Sequence, residues 1–325
     1  MPKARKQQVS LEDTRYYHCV SRCVRRAYLC SKDPYTGQSY EHRREWVQNR
    51  LLSLTQVFAV EVLAFAVMSN HTHVVLYVNT DAAKSWSELE VIERWHQLFG
   101  GTNLTRKYVD DQERESMESW ELHQVEKLIA EYRQRFTDIS WFMRALNEYI
   151  ARQANKEDKC TGRFWEGRFK SQALLDEQAL LSCMAYVDLN PIRADIAKTP
   201  ESSDFTSIQM RIRAALQGKQ PERLKAFDSY DIEYTALPCH LNDYLELIEF
   251  SGRAIHEGKT GHITKGTEDI LTRLSIDIES WMELTQGFEY QFCHLAGREQ
   301  SMRNCRQADN LSRIRGAPQA KRLLA

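Results

Sequence analysis

Two histidines one residue apart, His71 and His73, open the run His-Thr-His-Val-Val-Leu-Tyr-Val at 71–78, whose composition is that of a β-strand. Side chains alternate across a strand. His71, His73, Val75 and Tyr77 therefore share one face, and Thr72, Val74, Leu76 and Val78 the other. The aliphatic set belongs to the core, so the two imidazoles are expected to project together from the opposite side. Adjacent neutral imidazoles can hold one divalent metal when a third group approaches.

A helix over about 176–190 supplies that group. Asp176 reads as its N-cap, Glu177 falls in its first turn, and Pro191 forces an end near Asn190. Leu180, Cys183, Met184 and Val187 make an apolar stripe, with Tyr186 and Asn190 one turn apart at its edge. That placement predicts a phenol hydroxyl free to reach outward. A phenol attacking phosphorus needs positive charge nearby, and a metal that polarises the phosphate provides it. The Asn190 amide oxygen is a reasonable third ligand beside His71 and His73. Taken singly, each piece also has a plain reading: histidines on a polar sheet face, a tyrosine on an amphipathic helix.

The stretch Gly-Arg-Phe-Trp-Glu-Gly-Arg-Phe-Lys at 162–170 adds a third piece. Read as a strand over 163–172, it puts Phe164, Glu166, Arg168 and Lys170 on one face and Arg163, Trp165, Gly167 and Phe169 on the other. Arginine and lysine there can meet phosphates while aromatic rings stack on unpaired bases. A sheet strand with core aromatics is the competing reading.

The elements that must position these residues follow from patterning. Residues 15–24 read as a first strand, followed by a loop with Pro34 and Gly37. A helix is expected over 41–56, from Trp46, Val47, Leu51 and Leu54, and a buried strand over 57–67 before a turn at 68–70. Residues 81–140 are acidic and mostly helical, broken at Gly100-Gly101, and look like an insertion. Ile139, Phe142, Met143, Leu146 and Ile150 recur at helical spacing to about Asn155. Beyond a polar boundary near 200, helices are expected over 205–217, 241–256 and 267–287, ahead of a basic tail. Residues 1–200 are thus expected to form the domain that carries the chemistry, and 201–325 a helical extension of unassigned role.

Composition narrows the class. The chain has 325 residues, of which 42% are hydrophobic and 27% charged, with a formal net charge of -1. A globular fold with a substantial core follows, and collagenous or disordered classes are excluded. Near-neutral charge argues against a dedicated polyanion binder, but Lys3, Arg5, Lys6, Arg15, Arg22, Arg25, Arg26, Lys32, Arg43, Arg44 and Arg50 face only five carboxylates over 1–50. Such asymmetry permits nucleic-acid contact near the ends. The longest apolar run, 57–68, is too short to cross a bilayer and the first residues lack a signal-peptide core, so a cytoplasmic protein without membrane contact is expected. The eight cysteines contain no C-x-x-C pair and are expected to be reduced and buried.

Four blocks, taken in order, carry a resemblance: Tyr-Tyr-His-x-x-Ser-Arg at 16–22, Met-Ser-Asn-His-Thr-His-Val-Val-Leu at 68–76, Gly-Arg-Phe-Trp-Glu-Gly-Arg-Phe-Lys at 162–170 and Tyr-Val-Asp-Leu-Asn-Pro-Ile-Arg-Ala at 186–194. The set resembles the IS200-type single-tyrosine transposase family, and within it the branch associated with repetitive extragenic palindromes, over about residues 10–200. The resemblance implies an α+β fold: a ferredoxin-like antiparallel sheet flanked by helices, here with a helical insertion and a helical C-terminal extension. It implies Tyr186 as nucleophile, His71, His73 and Asn190 as ligands of Mg²⁺ or Mn²⁺, and single-stranded or hairpin DNA as partner. Arg22, Arg163, Trp165, Arg168 and Lys170 are the DNA-binding candidates. The expected activity cuts and rejoins DNA through a 5′-phosphotyrosine link. A metal-dependent phosphodiesterase using water, or a domesticated hairpin-binding protein without turnover, are the alternatives, and monomer and homodimer stay equally open. Thr72 departs from the family pattern, which has an apolar residue between the histidines, and the insertion and everything after 200 have no counterpart in its compact members.

Overall fold

The computed structural model describes residues 8–24, 29–33, 37–228, 237, 239–257, 265–305 and 314–324. Pro34 and the basic residues Lys3, Arg5, Lys6, Arg25, Arg26, Arg306 and Arg313 lie outside the described residues. Five strands, β1 (Tyr16–Arg22), β2 (Val60–Val67), β3 (His71–Val78), β4 (Lys170–Leu174) and β5 (Leu295–Ala296), form one sheet in the order β2-β3-β1-β4-β5. The first four pair antiparallel with their neighbours, and β5 joins β4 in parallel. Helix α1 (Arg43–Leu54) connects β1 to β2, and the turn at 68–70 connects β2 to β3 as expected. The class is mixed α+β, a sheet flanked by helices.

Between β3 and β4 run α2 (Thr80–Ser85), α3 (Glu88–Phe99), α4 (Asn103–Val109), α5 (Asp111–Glu115), α6 (Ser119–Phe136) and α7 (Ile139–Glu157). The break at Gly100-Gly101 is real: Gly100 has φ 66° and caps α3, and a Cβ on Gly101 would collide with the His96 ring. The apolar positions read for α7 are all buried, from Ile139 to Ile150. This helix lies on the sheet face of Tyr17, Cys19 and Ser21, where Asn147 donates from Nδ2 to Ser21 Oγ at 2.8 Å.

After β4 come α8 (Glu177–Asp188), α9 (Asn190–Arg193), α10 (Ser207–Ala215), α11 (Leu241–Glu257), α12 (Lys265–Leu274), α13 (Ile278–Gln291), α14 (Glu299–Asn304) and α15 (Ala317–Leu323). Asp176 caps α8 as its position suggests, accepting from Ala179 N at 3.0 Å. The single helix expected over 267–287 is two. Ser275 turns to φ 53° and Asp277 starts α13 by accepting from Ser280 N, so a second N-cap replaces continuation.

Three more expectations need correction. The stretch 163–169 is not strand: β4 begins at Lys170, and 164–166 crosses the end of β1 through Val24 N to Phe164 O and Glu166 N to Arg22 O. Gly162, at φ 123°, turns the chain just before this stretch, and Gly167 falls within it; the alternation fails, with Phe164 in the core while Glu166 and Arg168 are exposed. The stripe on α8 is not one-sided either. Every residue from Gln178 to Asp188 is buried, because α13 covers the side that was expected to face solvent. Third, the imidazole face of the sheet is not open, since α8 roofs it: His73 is 1% exposed.

Segments beyond 200 also close both sheet edges. Thr206 bridges Ala66, Val67 N donates to Phe205 O, and Phe65 N donates to Ser207 Oγ along β2. On the far edge β5 pairs with β4. Asp188 ties α8 to this wrapping, accepting from Ser207 Oγ, Ile208 N and Tyr244 Oη. Burial raises its carboxyl pKa to about 6 despite those bonds. All eight cysteines are free, six buried and two (Cys160 and Cys293) exposed. In the basic tail, Arg303 pairs with Glu299 and Arg322 with Glu283.

Candidate active site

Three strands and two helices meet at the imidazole face. The β1–β3 register sets Val20 against His73 and Arg22 against His71, so His18, two residues earlier on the same face, reaches diagonally toward His73. Their facing nitrogens, His18 Nε2 and His73 Nδ1, stand 3.0 Å apart. On β4, Gln172 pairs with His18, and its Oε1 lies 3.3 Å from His18 Nδ1. Gln172 Nε2 in turn donates to the Cys293 carbonyl at 3.2 Å. His71, at the strand's exposed end, has its ring 4.8 Å from that of His73, and its Nδ1 lies 2.6 Å from Asn70 Oδ1.

The tyrosine expected on the late helix comes to this place. The Tyr186 ring stands edge-on 5.8 Å from His73 and 6.3 Å from His18. It is 5% exposed, and its hydroxyl, expected to reach freely outward, donates to Glu289 Oε2 at 3.2 Å. Phe288, beside Glu289 on α13, packs against the same ring at 6.2 Å. On the other side the Arg193 guanidinium sits 3.9 Å over the Tyr186 ring and donates to the carbonyls of Tyr186 and Thr285.

Electrostatics follow from enclosure. Burial lowers the pKa of His73 well below the ordinary imidazole value, with like-charge neighbours His18 and His71 adding to the effect. It lowers His18 also, and brings His71 to about 4, helped by the positive charge of Arg22. All three imidazoles are therefore neutral at pH 7. Burial pushes the Tyr186 phenol up, the negative charge of Glu289 pushes it further, and Arg193 opposes both.

His73 Nε2 is buried with no hydrogen-bond partner, and so is Asn190 Nδ2. Neutral rings, one with an unengaged buried nitrogen, fit a divalent cation. Among the described residues no group of three His, Cys, Asp or Glu side chains is gathered tightly enough to hold a metal, so an ion here needs a ligand of another type, and an amide such as that of Asn190 qualifies. Asn190 itself is 7% exposed and begins α9, just past the end of α8.

Among the DNA-binding candidates, Arg22 and Lys170 are exposed and close enough to His71 for their charges to act on it. Arg163 and Arg168 are exposed on the 163–169 loop. Trp165 is half-buried, its indole N–H spent on the Asn147 carbonyl at 2.7 Å. Sequence reasoning missed His18, Gln172, Arg193 and Glu289. His18 and Arg193 stand inside the motif blocks and were detectable there; Gln172 and Glu289 carry no local signal.

No family model matches the chain, and no curated protein matches it. Among solved structures the chain is similar to a REP-associated tyrosine transposase bound to a REP hairpin, at 12% identity over 67% of this chain and 88% of that one, with a TM-score of 0.35. Among the described residues no helix is long and apolar enough to cross a membrane.

Proposed function

We propose that the chain cuts and rejoins single-stranded, hairpin-bearing DNA through a covalent tyrosyl intermediate. The observation that carries this reading is the seat of Tyr186: its ring lies 5.8 Å from a buried neutral histidine with an unengaged nitrogen and directly under a guanidinium. In this reading the candidate nucleophile stands beside one candidate metal-binding nitrogen and beneath a cation suited to phosphate. The strand order β2-β3-β1-β4, antiparallel throughout, with helical crossovers from β1 to β2 and from β3 to β4, supports a ferredoxin-like frame for it.

In this reading Tyr186 Oη attacks phosphorus. The new O–P bond forms as the bond from phosphorus to the 3′-oxygen breaks, leaving a 5′-phosphotyrosine and a 3′-hydroxyl that takes its proton from water. The phenol proton passes to the Glu289 carboxylate, which already accepts its hydrogen bond. Arg193, Arg22 and Lys170 supply positive charge for the phosphate, and Arg163, Trp165 and Arg168 extend that surface along the neighbouring loop. His71, His73 and Asn190 would hold Mg²⁺ or Mn²⁺, which when bound withdraws charge from the phosphate and eases attack. A second strand's 3′-hydroxyl reverses the linkage. Because Tyr186 is 5% exposed, a strand reaches it only when α13 shifts from its place over the ring.

The test is incubation with a pool of hairpin-bearing single strands and Mn²⁺ or Mg²⁺, followed by denaturing electrophoresis. A protein–DNA adduct is expected, and Tyr186→Phe should abolish it with an unchanged circular dichroism spectrum. Cleaved DNA without an adduct would assign the attack to water. Hairpin binding with no cleavage at any metal concentration would leave a binding protein.

A further inference from the structure

We infer that the Cys293 carbonyl, Gln172 and His18 form a proton-ordering relay that holds His73 with its proton on Nδ1 and its Nε2 lone pair turned into the site. At the outer end of the relay the proton positions admit no choice. A backbone carbonyl only accepts, so the Gln172 group 3.2 Å from Cys293 O is its NH₂. The amide oxygen therefore faces His18, and since it too only accepts, His18 Nδ1 carries a proton toward it. In a neutral imidazole the other nitrogen is then a lone pair. His18 Nε2 accepts, His73 Nδ1 must donate across their 3.0 Å contact, and His73 Nε2 is left unprotonated. That same atom is the one buried without a partner.

The direction of the relay depends on both rings being neutral, which their burial at 2% and 1% exposure enforces. The rings also lie nearly parallel, at 11°, so the contact fixes the plane of His73 as well as its tautomer. His71 reaches the same state without help from the fold's interior, donating from Nδ1 to Asn70 Oδ1. Two histidines thus present Nε2, one set by a surface asparagine and one by a chain of groups on β3, β1, β4 and the segment that follows α13. His18 and Gln172 are positioning residues: they meet neither phosphate nor metal, and act through His73.

The relay rests on the metal reading above for its purpose but not for its test. In metal-free protein, two-bond ¹H–¹⁵N correlation spectra of the histidine rings should find His18 and His73 both protonated at Nδ1. His18→Gln keeps an acceptor for His73 Nδ1 and should preserve the tautomer, whereas His18→Phe and Gln172→Leu should release a mixture. A proton on His73 Nε2 in the unaltered chain, or a tautomer indifferent to both disruptive variants, would overturn the inference. Titration with Mn²⁺ alone gives the second readout. Affinity should fall about 10–100-fold in His18→Phe and Gln172→Leu and stay within a few-fold in His18→Gln. Equal affinity in all of them would overturn the coupling to His73. An unaltered chain that binds no Mn²⁺ would remove the metal from the proposed function, and the ring spectra would still decide the proton arrangement by themselves.

Discussion

Thr72 and His73 are neighbours on β3 that point to opposite sides of the sheet, and each buries one polar atom without a partner: Thr72 Oγ1 and His73 Nε2. On the α7 face Thr72 stands opposite Ser21 on β1 and Val67 on β2, with Val74 next along its own strand, all buried. Under α8 the surroundings of His73 are His18, Gln172, Tyr186 and, through the tyrosine, Glu289 and Arg193. Both residues are buried, and the α7 face carries the Asn147–Ser21 hydrogen bond, but on the α8 face donors and acceptors run in a continuous chain up to His73. An unpaired atom in apolar packing is a stability cost. An unpaired atom beside a polar chain is instead open to a ligand, as the proposed function requires of His73 Nε2.

Substitutions can separate the two faces. The largest effects should cross over. Phe65→Ala, on the α7 face, is expected to cost about 3–5 kcal/mol in urea unfolding, because it empties a fully enclosed site. Tyr186→Phe should cost no more than about 1 kcal/mol, the worth of its hydrogen bond to Glu289, while lowering adduct formation by at least ~10³-fold. If Phe65→Ala spared stability, or Tyr186→Phe spared the adduct, the contrast would fail.

The next effect is on pH dependence. An imidazole held neutral in the fold takes up its proton only on unfolding, so its contribution to stability is present above the unfolded-state value near 6.5 and is lost as pH falls. For His71, with a folded value of about 4, the loss spans that interval. The stability difference between the metal-free protein and His71→Asn should therefore fall by on the order of 2 kcal/mol from pH 7.5 to 4, after allowance for partial exposure. Val74→Ala should lower stability equally at both pH values. Smaller again, Glu289→Gln removes a negative charge that raises the Tyr186 phenol, so a ¹³C-tyrosine NMR titration should find that phenol ionising at lower pH than in the unaltered chain. Smallest of all, Thr72→Val keeps the shape and deletes the unpaired hydroxyl, and it should stabilise by up to about 1 kcal/mol with adduct formation unchanged.

Local pattern carried the fold a long way. The alternation at 71–78, the Asp176 cap, the glycine break after α3 and the spacing of Ile139, Phe142, Leu146 and Ile150 each name their element, because period and capping act within one turn or one strand. The approach of Tyr186 to His73 agrees with what the family resemblance of the four motif blocks implies. What failed is what distance along the chain decides. Glu289 lies 103 residues beyond Tyr186, and nothing near either residue announces their contact. The solvent-facing reading of α8 failed for the same reason, since its cover arrives with α13. The 163–172 strand fails differently: the alternation runs through Gly167, and a glycine inside a strand pattern is itself a sign of interruption.

The closure of both sheet borders by residues past 200 bears on how this molecule can be cut down. A fragment stopping at that point would keep His71, His73 and Tyr186 but bare the amide rows of Phe65 and Val67 on one flank and of Ala173 and Leu175 on the other. Such rows template strand addition from other copies. The portion that carries these three residues is thus not a detachable module: its sheet borders are covered by the chain that follows.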